Sequence, residues 1–143
     1  LMASDHPLAH YEVVPWSELT RYPQVVFKDG YGMQRLVQEQ FHRQGATLNA
    51  VLELNTLDAF RGIVRQGDAI ALLPESAVFD ARYDPTLAVR ATGEPTLRRQ
   101  VVLVTTSDRL SIPPIQHFRH LVHNLIGVQS EPIKQVSPTA IAL

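Results

Sequence analysis

The chain has 143 residues, 45% of them hydrophobic, which is enough to bury one core, and no apolar run approaches the ~20 residues that a bilayer-spanning helix requires. Thirteen basic and fourteen acidic residues leave a formal net charge of -1, so bulk charge supplies no footprint for nucleic acid or for an anionic membrane surface. The absence of cysteine excludes disulfides, thiolate metal sites and thiol catalysis, and fits a cytoplasmic chain.

In chain order, Leu1-Met2-Ala3 lacks the basic start and long apolar core of a signal peptide, so cytoplasmic localisation is expected and no membrane partner. Asp5 to Ala9 reads as a turn and Tyr11 to Val14 as a short extended piece. Trp16 to Tyr22 reads as a short helix or turn, with Pro15 suited to its first turn. Gln24 to Phe27 is a predicted strand, followed by the loop Lys28-Asp29-Gly30-Tyr31-Gly32 and a helix from about Met33 to Gln44. Met33, Leu36, Val37 and Phe41 form the apolar stripe of that helix and Gly45 its stop. Leu48 to Leu54 is the next strand.

The segment Asn55 to Pro74 carries the most local information. Asn55 or Thr56 suits the cap of a helix on which Leu57, Phe60, Ile63 and Val64 share one face, and Gly67 is the expected left-handed stop. Ala69 to Leu73 is apolar on both faces, as in a parallel strand covered by helices. A short helix is expected near Glu75 to Ala81, a strand at Leu87 to Arg90 and a stronger one at Arg99 to Thr106. Pro113 to Ile126 reads as a final helix with Ile115, Phe118, Leu121, Val122 and Leu125 on its inner face. Gln129 to Leu143, with scattered proline and no periodicity, is expected to be an unstructured tail.

Strands alternating with helices at this spacing predict an α/β fold, a doubly wound sheet with right-handed crossovers. Ligands of such sheets lie beyond the carboxyl ends of the strands. The loop Lys28 to Gly32 occupies that position. It joins a strand to a helix, carries two glycines and precedes helix N-terminal amides that favour an anion, to which Lys28 adds a positive charge.

The order His6-Pro7-Leu8-Ala9, Pro15-Trp16-Ser17-Glu18-Leu19 before a strand, a helix ending Phe41 to Gly45, and Gly62-Ile63-Val64 with Gly67 and Ile70-Ala71-Leu72-Leu73-Pro74 resembles the effector-binding region of LysR-type transcriptional regulators. The match runs from about Ser4 to Ile126, and its specificity lies in order and spacing. The resemblance implies two α/β lobes similar to a periplasmic binding protein, with a small-molecule cleft between them. One lobe is then complete and the other partial: residues 1–12 the end of the partial first lobe and a hinge, 13–89 the second lobe, 90–127 the return to the first lobe, and 128–143 a C-terminal tail. Family members also carry an N-terminal winged helix-turn-helix, which this chain does not show, so the resemblance implies a fragment that meets DNA only through a domain elsewhere.

By the same resemblance, effector contacts fall on Lys28, Asp29, Tyr31, Gly32 and Met33, with Asn55 and Thr56 at the start of the next helix. Lys28 and the two glycines depart from the serine- or threonine-bearing versions of this loop, which leaves the effector open. A small carboxylate or phosphate metabolite is the expectation. Each residue also has a plainer reading: Lys28 as a solvated loop lysine, the glycines as a turn, Asn55 and Thr56 as caps, and Tyr31 as surface packing. Binding would select one relative orientation of the lobes, and the differential affinity sets how far that equilibrium shifts. The resemblance further implies a homo-oligomer, with the helix Met33 to Gln44 on one side of the pairing. The segment Val25 to Gly32 is similar to cyanobacterial regulators of nitrogen or carbon assimilation.

The alternatives come from other classes. His117, His120 and His123 recur every third residue, and imidazole is a common zinc ligand, so a small metal-dependent hydrolase is the second reading. Against it, three-residue steps turn about 300° each, so the first and third histidines drift apart, and no His-Glu-x-x-His motif is present. Ser107, Asp108 and Ser111 lack a nucleophile elbow. A free-standing solute-binding module would share the fold but require an export signal. The expectation is no enzyme, no catalytic residues, no metal and no cofactor.

Overall fold

The computed structural model describes residues 1–98 and 103–126, and the chain divides into two units, 1–98 and 99–143, which are taken in turn. Among the described residues the short apolar runs form strands β1 (Met2–Ala3), β2 (Val13–Val14), β3 (Gln24–Phe27), β4 (Ala50–Leu54), β5 (Leu87–Ala88) and β6 (Ala91–Thr92). The helices are α1 (Trp16–Leu19), α2 (Gly32–Arg43), α3 (Leu57–Val64) and α4 (Pro113–Ile126). Single 3-10 turns cover Pro7–His10, Glu75–Ala77, Asp80–Tyr83 and Ser107–Ser111.

In the first unit β3 and β4 pair in parallel, as do β2 and β6, while β1 and β5 run antiparallel. Single bonds connect two of these pairs. Ile70 bridges β3, donating to the Pro23 carbonyl at 2.9 Å and accepting from the Val25 amide at 2.8 Å. Ala71 then exchanges bonds with Leu1, which leads into β1. The hydrogen-bonded order is therefore β4, β3, Ile70-Ala71, Leu1 with β1, and β5.

Alternation along this order defines two faces. Ile70, Met2 and Ala88 belong to one core cluster, with Trp16 and with Val37 and Phe41 of α2. Ala71, Val25, Leu1 and Leu87 belong to another, with Phe60 and Val64 of α3. Consecutive helices thus cover opposite faces, the doubly wound arrangement that the alternation of elements predicts. Phe41, Phe60 and Val64 are fully buried. His6 has a part in the same core: its Nδ1 accepts from the Leu8 amide at 3.1 Å, which leaves Nε2 protonated to donate to the Asp68 carbonyl at 3.1 Å.

Several expectations need correction. The apolar run Ala69 to Leu73 is buried at Ile70 and Ala71 but reduces to one bridge residue, because its neighbours on either side offer only single pairing positions. Gly67 is not left-handed: among the described residues only Gly30 (φ 92°) and Gly45 (φ 69°) have positive φ, and α3 ends instead on Arg65 in the right-handed region. Neither α2 nor α3 has a side-chain hydrogen bond at its N-cap, so Asn55 and Thr56 do not act as the expected caps. Pro15 is the N-cap of α1, one position before its first turn. Glu75 to Ala81 forms two 3-10 turns rather than a helix, and the chain from Leu87 supplies two short strands, β5 and β6, where one was expected.

In the second unit α4 has the predicted bounds. Of the strand expected at Arg99 to Thr106, residues 99–102 lie outside the described residues, and Leu103 to Thr106 have no strand partner among those described. Among the described residues the apolar face of α4 is only partly covered: Ile115 and Val122 are half-buried, while Phe118 is 55% and Leu125 82% exposed, and within its unit α4 packs on the 3-10 turn Ser107–Ser111. The expected tail falls outside the described residues.

Candidate functional site

The β3–β4 register brings the predicted site together. Phe27 opposes Leu54, and the Lys28 amide extends the ladder by donating to the Leu54 carbonyl at 3.0 Å. Parallel strands end on the same side, so the loop Lys28 to Tyr31 and the residues Asn55 and Thr56 leave the sheet side by side. Lys28, Asp29, Tyr31, Gly32, Asn55 and Thr56 are exposed and Met33 is half-buried.

The loop has a defined shape. The Gly30 amide donates to Asp29 Oδ1 at 2.9 Å and the Tyr31 amide to the Lys28 carbonyl at 3.3 Å, with Gly30 supplying the positive φ that the turn requires. Tyr31 is the N-cap of α2 and Thr56 that of α3, both extended and both without a side-chain bond to the first-turn amides. Two helix starts with amides unclaimed by a cap therefore flank one strand end, a setting that favours negative charge. Lys28 and Asp29 form no ion pair among the described residues.

One side of this site is aromatic. Tyr31 stacks on Phe27 with centroids 5.6 Å apart and an interplanar angle of 23°, and Phe27 lies 4.8 Å from the buried Phe60. Tyr31 thus has a footing in the core while half its surface stays exposed. Behind Met33, a small cavity of about 10 Å³ is lined by Gln24, Gln34, Val37 and Leu72 among others. The Oε1 atoms of Gln24 and Gln34 are buried without a partner. This space suits one water and not a metabolite. The buried Gln24 of β3 and the half-buried Gln34 of α2 escape sequence reasoning because a polar residue type reads as solvent-facing.

The second unit has a larger groove of about 420 Å³ lined by Leu103, Val104, Thr105, Thr106, Arg109, Ile115, Phe118 and Arg119, and none of the predicted site residues lines it. His117, His120 and His123 are all exposed on α4. Among the described residues no group of three or more His, Asp or Glu side chains can hold a metal ion, and no helix is long and apolar enough to cross a membrane.

Residues 1–126 match the model of the LysR substrate binding domain. The chain is 50% identical over 137 residues to a probable nitrogen assimilation transcriptional activator of Synechococcus elongatus, covering 96% of this chain and 44% of that protein. It is 48% identical over 128 residues to a protein of the same description from Synechocystis, covering 85% of this chain and 41% of the relative. It therefore spans less than half the length of these relatives. In structure it is similar to the Synechocystis CcmR regulatory domain, solved in complex with 2-PG, with a TM-score of 0.66 at 20% identity, covering 86% of this chain and 59% of that one. That likeness supports an α/β fold of the periplasmic-binding-protein type. A sensor and not an enzyme is what such a match describes, and the chain belongs to the LysR substrate-binding-domain family, as the effector-binding region of a LysR-type transcriptional regulator.

Proposed function

We propose that this region senses a small anionic metabolite at the strand ends of β3 and β4, with Lys28, Asp29, Tyr31, Gly32, Met33, Asn55 and Thr56 as its contacts. The observation that carries the reading is the juxtaposition of two uncapped helix starts, at Tyr31 and Thr56, beside the ammonium of Lys28. The CcmR domain's complex with 2-PG supports a small-molecule effector, and the two cyanobacterial relatives support nitrogen assimilation as the regulated process. In the proposed organisation residues 13–89 form the second lobe, and residues 1–12 and 90–127 belong to the first. DNA binding then resides in the rest of a longer cytoplasmic protein.

The assembly reading is a homo-oligomer paired through α2 and the neighbouring edge strand. Among the described residues β4 pairs with β3 alone, and it leaves Val51 at 54% and Leu52 at 39% exposure, an apolar edge of the kind that a partner covers.

A thermal-shift series with 2-PG, organic acids, sugar phosphates and divalent metals tests the sensor reading. An effector at ~100 times its dissociation constant stabilises the fold by about 2.7 kcal/mol. Stabilisation by a carboxylate or phosphate that Lys28→Ala abolishes is the expected outcome. A response to zinc alone, lost in His120→Ala, would overturn it in favour of a metal site on α4.

A further inference from the structure

We infer that Trp16 is a positioning residue that ties the helix carrying the candidate site to the segment by which the chain leaves the first unit. Trp16 is the sole tryptophan, opens α1 and is 3% exposed. Its indole N–H is shared between the carbonyls of Gly93, at 3.0 Å, and Pro95, at 3.3 Å, immediately after β6. The same ring stands edge-on to Phe41 of α2, with centroids 6.3 Å apart and planes at 83°.

The backbone closes on the same point. β2, which leads into α1, pairs with β6, and the Gly93 amide donates to the Val14 carbonyl at 2.8 Å. A Cβ on Gly93 would meet the Val14 oxygen at 3.5 Å, so the two passing chains are in contact there. A ring present only to fill space needs no donor. An indole N–H shared between two carbonyls two residues apart favours one course for that stretch of backbone, since turning both carbonyls away leaves a buried donor without a partner. Phe41 joins this clamp to α2, whose first turn contains Gly32 and Met33. A shift of α2 is therefore transmitted to Gly93–Pro95 through one side chain. The inference goes beyond the effector reading and is tested without a ligand, so the two fail separately.

The test is nuclear magnetic resonance on the ¹⁵N-labelled chain, which has one indole N–H signal. In the unmutated protein that proton is expected to exchange more slowly than a free indole by on the order of tenfold or more. Phe41→Leu is expected to move the amide signals of Gly93 and Thr96, and to leave them unmoved in a Trp16→Phe background, where a smaller aromatic ring stands in place of the indole and the donor is gone. Equal movement in both backgrounds would show simple packing and overturn the inference. Free exchange of the indole proton in the unmutated chain would overturn it as well, even if Trp16→Phe fails to fold.

Discussion

α2 in the first unit and α4 in the second have the same kind of sequence, apolar positions at helical spacing over about three turns, and their environments differ completely. Phe41 of α2 has no exposed surface, whereas Phe118 of α4 keeps 55% of its surface and Leu125 82%. Local pattern makes a helix able to bury a face. Whether the face is buried depends on other elements, and those packed on α2 come from distant parts of the chain: Ile70, Met2, Ala88 and Trp16. Among the described residues of the second unit no comparable partner covers α4.

The largest consequence is in stability. Phe41→Ala is expected to cost about 3–5 kcal/mol in urea unfolding, through lost burial and the cavity left behind. Phe118→Ala in the same chain is expected to cost no more than about 0.5 kcal/mol, as at other exposed positions. Comparable losses at the two positions would show that the α4 face is covered in solution and would break the contrast.

The second consequence is in pH. The group that carries it is Asp84, on the turn before β5. Hydrogen bonds from the Thr86 side chain and amide, then from Arg65, hold its carboxyl at about 2. The stability it contributes is present above the ordinary carboxylate range and is lost as pH falls toward 2. Thr86→Val, which removes the first of these donors, is expected to flatten that acid slope in urea midpoints measured between pH 5 and 2, and Thr86→Ser to preserve it. A slope unchanged in Thr86→Val would show that the hydroxyl does not hold the carboxylate.

The same division between local signal and tertiary answer separates what could be read from the sequence from what could not. β3 and α4 have their predicted bounds, and α2 is displaced by one residue, because periodicity and flanking turn residues define them locally. The strand-to-helix loops that form the candidate site were legible for the same reason. Beyond reach were the reduction of Ala69 to Leu73 to one bridge, the two-residue strand β6, and the burial of Gln40 at 1% exposure within the stripe of α2. The indole bonds of Trp16 span 77 and 79 residues, and no local pattern reports a partner at that distance. Thr56 was read as a cap from its residue type alone, although its side chain makes no cap bond.

Gly45 and Gly67 reduce the same lesson to a pair of substitutions. Both follow a helix and both read as left-handed stops, yet only Gly45 has a positive φ, at 69°. A Cβ would meet nothing within 4 Å at either position, so packing drops out of the comparison and backbone conformation alone decides the outcome. Gly45→Ala forces an L-residue into the left-handed region and is expected to destabilise by about 1 kcal/mol. Gly67→Ala is expected to be neutral or to stabilise by about 0.4–1 kcal/mol, because the unfolded chain loses freedom that the folded chain does not use. Urea midpoints for the two variants should therefore move in opposite directions from the parent, with Gly45→Ala below it. A Gly67→Ala midpoint as low as that of Gly45→Ala would mean that the turn after α3 is left-handed in solution, and that the local signal was the better guide there.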